Sequence, residues 1–299
     1  MNQMLGPACR EVVNPSLILI ALVCALTFAG DPSLAQSTDS PTFHDKVSTL
    51  YSFQPHKLNR AEISAKSDEL DRFWEYVKTN AARAVPLLRH ELENPQNPSF
   101  FFYDGAQLLL SLSKERADLE LALRSLPNVD LQDIQSTDYL RTVHFLARNG
   151  LDTRLAALRI LDDPDFTAII PQHALTLGQD YCLIYMLYAQ AGVPFETELV
   201  ARLSTEQKAK SQRSLLLALW YQVTPSSRAT LTAFGERPDV SPEVKAYARE
   251  LLSRKSGFSL SLSSADALRA ERSKVMQRPI SDEALIEFDS LTLKLLAKL

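Results

Sequence analysis

The chain has 299 residues and a formal net charge of −4. With only 8 glycines, it is short of the residue that hairpin turns and bulges require, which argues against a sheet protein. No Lys/Arg face stands out, which argues against a nucleic-acid footprint and against an electrostatically held membrane-surface role, whereas 45% apolar residues suffice for a sizeable core.

Arg10 precedes an apolar run over residues 17–29, followed by Ser33-Leu34-Ala35 and then a polar stretch. A basic start, a short apolar centre and a small-x-small exit match a secretory signal over residues 1–35, with cleavage predicted after Ala35. The expected location is therefore exported, periplasmic or secreted, with no membrane span in the mature chain. Residues 17–29 are too few for an ordinary spanning helix, which needs about 20; an uncleaved anchor is the alternative. Cys9 and Cys24 leave with the signal, so the mature chain keeps only Cys182 and forms no internal disulfide. Cys182 reads as a small buried hydrophobe.

Residues 36–56 are polar and Pro-spotted, and read as a flexible lead-in. Helical periodicity then runs over 57–255. Ser67 precedes Leu70, Phe73, Trp74 and Val77, which fall on one helical face. A second helix is expected over residues 81–92, with Pro86 bending it or marking its start. Asn97-Pro98, Thr224-Pro225 and Ser241-Pro242 each place a capping side chain before a proline at the first helical position. Further helices are expected near 114–126 and 136–148. Helix pairs open near residues 97, 136, 174 and 207, each with a short internal joint. A pair of amphipathic helices cannot bury its stripes alone, so stacking of neighbours into a solenoid is expected.

The segment Ser241-Pro-Glu-Val-Lys-Ala-Tyr-Ala-Arg-Glu-Leu-Leu252 resembles the second helix of a HEAT-type repeat, with an acidic capped start and paired leucines. Leu151-Asp-Thr-Arg-Leu-Ala-Ala-Leu-Arg-Ile-Leu161 is similar but weaker. The resemblance implies an all-α superhelix of stacked hairpins, about 11–13 helices, and a binding role for it. The Trp-Leu-Gly-Tyr signature of tetratricopeptide repeats is missing. Residues 256–299 are expected to add two more helices, near 264–277 and 281–298, as a cap on the same domain.

The sequence lacks a Gly-x-Ser-x-Gly elbow, a phosphate loop and a dinucleotide fingerprint. His90-Glu91 opens like a zinc-protease helix, but Asn94 stands where the second histidine belongs, so no metal site and no cofactor are expected. Two stretches are candidates for binding. In the first, Tyr103 and Asp104 follow three phenylalanines, and read either as core, with Gly105 permitting close helix approach, or as a groove wall. In the second, His173, Gln179 and Asp180 surround the start of the most apolar helix, as a capping network or as a small polar pocket. Trp220 and Tyr221 read as core. The expected function is non-catalytic binding of a protein or peptide. An enzyme or small-ligand binder with a pocket near His173 and Asp180 is the alternative, and a structural envelope component is a third.

Overall fold

Caps and apolar stripes set the helix ends. The computed structural model describes residues 40–53, 57–132, 134–162, 181–253 and 264–298. Among the described residues there are fourteen α-helices and no strand. They are α1 (Ser40–Leu50), α2 (Arg60–Thr79), α3 (Ala81–Glu93), α4 (Ser99–Leu112), α5 (Arg116–Ser125), α6 (Ser136–Arg148) and α7 (Arg154–Arg159). After residues 163–180 come α8 (Tyr181–Tyr188), α9 (Glu196–Thr205), α10 (Ala209–Gln222), α11 (Pro225–Glu236), α12 (Pro242–Ser253), α13 (Ala265–Met276) and α14 (Asp282–Leu296). The all-α class is as expected, and no described helix is long and apolar enough to cross a membrane.

Four helix starts follow the local chemistry. Thr224 and Ser227 form a reciprocal capping box at α11, and the Ser241 hydroxyl accepts from the Val244 N–H at α12. Ser264 and Ser281 cap α13 and α14 in the same way. Two starts differ from expectation. Asn59, not Ser67, opens α2, through a capping box with Glu62. Asn97 does not cap α4; its amide donates instead to the backbone oxygen and the carboxylate of Glu91, at 2.7 and 2.8 Å.

The lead-in is the larger correction. Residues 40–50 form α1, with Pro41 in its first turn, where a missing N–H costs nothing. Phe43, Val47 and Tyr51 recur every fourth residue and are buried against α2 and α4. The ring centroids of Phe43 and Phe73 lie 5.5 Å apart, and those of Tyr51 and Phe101 5.2 Å apart, edge to face. Counting α1 and the short α7 takes the number of helices past the expected 11–13.

Packing follows chain order. Sequence neighbours pack in series from α1 to α7 and from α9 to α12, and next-nearest neighbours meet at α1–α3, α3–α5, α6–α8, α7–α9, α8–α10 and α10–α12. The paired Arg89 and Asp118 link α3 to α5 through two hydrogen bonds of 2.6 and 2.8 Å. The C-terminal pair breaks the order. Helix α14 packs on α8, and the α13–α14 hairpin reaches three alternate helices. On α6, His144 Nε2 bonds the Met276 carbonyl at 2.8 Å. On α8, the Tyr188 hydroxyl donates to the Val275 carbonyl, and its ring meets Phe288 edge to face. On α10, the Tyr221 hydroxyl donates to Asp289 at 2.8 Å, and Arg272 donates to the Tyr221 carbonyl. Phe288 and Leu285 are fully buried there. The last two helices thus cover the face made by α6, α8 and α10.

Candidate functional site

The residues that gather polar chemistry and open space lie around α1. On its inner side, the Trp74 indole N–H donates to the Tyr51 hydroxyl at 3.1 Å, and that hydroxyl lies beside the Asp104 carboxyl and favours its charged form. Asp104 is buried on α4, and burial pushes its carboxyl up to about 7, with the nearby Asp71 charge acting in the same direction. Burial likewise raises Tyr51. The relay joins α1, α2 and α4 and satisfies two polar groups inside an aromatic cluster.

A second tie holds α1 to α3. The His44 imidazole meets Glu91 at 2.9 Å between Nδ1 and Oε2. The Glu91 side chain is 2% exposed and that of His44 44% exposed, so a shielded carboxylate holds a solvent-facing ring. Asn97 grips the same carboxylate oxygen from the other side, and its own Oδ1 has no partner. The hydrogen bond to Glu91, followed by its charge, raises the His44 pKa, and Asp45 adds to the effect. These two residues are 47 positions apart, so nothing in the local sequence pairs them.

On the outer side of α1 lies a cleft of about 370 Å³. Its walls are Asp45, Lys46, Thr49 and Leu50 from α1, and Glu69, Arg72, Phe73 and Tyr76 from α2. The spacing i, i+1, i+4, i+5 on α1 and i, i+3, i+4, i+7 on α2 places each set on one helical face. The interior is chiefly apolar, and the charges sit at the rim. Lys66 bonds Glu69 at 2.8 Å, Arg72 Nε donates to the Asp68 carbonyl, and Lys46 Nζ lies 5.3 Å from the centre of the Tyr76 ring. The Tyr76 hydroxyl is closed off from solvent and has no hydrogen-bond partner. Reading residues 36–56 as a lead-in removes one wall of this cleft, which is why the sequence does not reveal it.

Of the candidate binding residues, Tyr103 and Asp104 are placed apart. Neighbouring positions on a helix point about 100° away from each other. Asp104 turns to Tyr51, whereas Tyr103 turns to α6, where it lies beside Thr142, Asp138 and Arg141. Burial raises the Tyr103 phenol pKa. Gly105 does face close packing, as expected: a Cβ there would lie 2.9 Å from Phe101 and 3.2 Å from Leu92 of α3. His173, Gln179 and Asp180 lie outside the described residues. Trp220 and Tyr221 are buried. Among the described residues, no group of three His, Cys, Asp or Glu side chains is placed to hold a metal ion. No family model, curated protein or solved structure matches the chain.

Proposed function

We propose that the chain is an exported, non-catalytic scaffold of stacked HEAT-like helix pairs, which binds a short peptide segment of a partner protein in the α1–α2 cleft. The observation that carries this reading is the cleft itself: about 370 Å³, apolar within, charged at the rim and built from two helix faces. Sites for small ligands and short segments are concave, mostly apolar and edged by a few polar groups. The serial packing of helices supports the repeat architecture. The signal-like residues 1–35 support export.

Two observations steer the site away from the rest of the molecule. The face of α6, α8 and α10 is taken by the chain's own α13–α14 hairpin. Among the described residues, the large hydrophobics that stand exposed are Leu155 at 78% and Ile286 at 37%, on different helices, which makes no extended apolar patch for a partner.

Selection of a displayed random peptide library on the protein tests the reading. Peptides enriched on the wild type are expected to bind the Thr49→Trp variant, whose cleft is filled, about tenfold or more weakly, with its melting temperature unchanged. Failure to enrich any peptide, or equal binding to the filled variant, overturns it.

A further inference from the structure

We propose that the α1–α2 cleft recognises the free carboxyl terminus of a peptide whose last residue is apolar. This rests on the scaffold reading above and names its ligand.

Of the ionised groups on the rim, Glu69 is already answered by Lys66 at 2.8 Å and lies in the field of Arg72. Asp45 is the second acid. Lys46 and Arg72 are the cations of the wall itself, so the wall carries two positive groups against two negative ones, and Glu69 draws its partner, Lys66, from outside it. Arg72 spends its Nε on a backbone carbonyl, which leaves the terminal guanidinium nitrogens as donors. Lys46 lies over the Tyr76 ring, an attraction that leaves its charge available to an anion. With Glu69 paired, Lys46 and Arg72 are left against Asp45, and one ligand carboxylate balances them.

Spacing then selects the kind of carboxylate. Lys46 and Leu50 are one turn apart on α1, as are Arg72 and Tyr76 on α2. The Cβ atoms of each cation and of an apolar position of the same wall therefore lie about 5–6 Å apart. A peptide carboxyl terminus carries its charge and its last side chain on one Cα, which matches that short separation. An internal acidic side chain instead brings a peptide unit on each side, both needing partners inside a chiefly apolar space. Capture of a terminal carboxylate beside an apolar pocket is a known mode of peptide recognition.

Fluorescence polarisation on the full chain provides the test, with labelled hexapeptide pools of random sequence closed by Leu, Ile or Phe. Each pool is made as the free acid and as the C-terminal amide. The free acids are expected to bind about tenfold more tightly than the amides, the usual weight of a charge-assisted hydrogen bond. Lys46→Gln and Arg72→Gln are each expected to weaken the free acids while leaving the amides and the melting temperature unchanged. Octanoate at equal concentration is expected not to compete. Equal binding of acids and amides overturns this inference and leaves the scaffold reading standing. Equal competition by octanoate also overturns it, because the cleft would then be reading a fatty carboxylate. Binding by neither form overturns both.

Discussion

Asp104 shows how burial governs a single carboxyl. Its pKa is raised from the ordinary 3.8 to about 7, first by desolvation, and the Tyr51 hydroxyl offsets only part of that. The folded chain then holds a proton that the unfolded chain releases, so stability falls as pH rises from about 4 through 7. Asp104→Asn keeps the shape and removes the charge. At pH 8 it is expected to raise stability by an amount on the order of a few kcal/mol, with little effect at pH 4; urea melts at both values check this. His44 shifts stability in the same direction, through a favoured positive charge instead of a disfavoured negative one. Its folded pKa is raised by Glu91, so the contribution of the pair is full below the unfolded value of 6.5 and is lost as pH climbs through the folded value. His44→Gln is therefore expected to lower the melting temperature more at pH 5.5 than at pH 8.5. Little of this residue chemistry is legible in the sequence. Tyr103 and Asp104 stand out as neighbours, yet helical geometry sends them to different partners, and Glu91 finds His44 only through the packing of α1 on α3.

Elements were legible where the ends carry a cap. Thr224, Ser241 and Ser281 open α11, α12 and α14 as their side chains dictate, whereas α6, which coincides with residues 136–148, was legible from its apolar stripe without a side-chain cap. α1 was not legible for a physical reason. A helix of 11 residues is marginal in water, and its polar, Pro-containing sequence gives no propensity signal. Burial of Phe43, Val47 and Tyr51 against α2 and α4 supplies the missing stability, and the sequence does not show those partners. Gly105 is the converse case, because its role depends on a close approach that the sequence hints at. Gly105→Ala gains helix propensity of about 1 kcal/mol. The added methyl, however, presses on Phe101 and Leu92, and overpacking of this kind costs about 1–3 kcal/mol. A net loss of stability is expected, and a variant that melts at or above the wild-type temperature would show that α3 and α4 can separate without penalty.

At the scale of the molecule, the serial packing of helices follows from amphipathic pairs that bury their stripes on their neighbours. The return of α13–α14 onto α6, α8 and α10 was only partly legible. The stripe of Leu285, Phe288, Leu291 and Leu295 announces a helix that must dock, but not where. A cap on the same domain is the expectation, without a stated docking face; the hairpin lies on α6, α8 and α10. That placement covers the α6, α8 and α10 face from within, whereas the cleft between α1 and α2 stays open. Hydrogen–deuterium exchange of the full chain, with and without a peptide selected on it, tests this most directly. The account predicts added protection over residues 43–50 and 69–76, with exchange in 264–298 unchanged. Protection over α6, α8 and α10, or faster exchange in the C-terminal hairpin as a peptide displaces it, would contradict it.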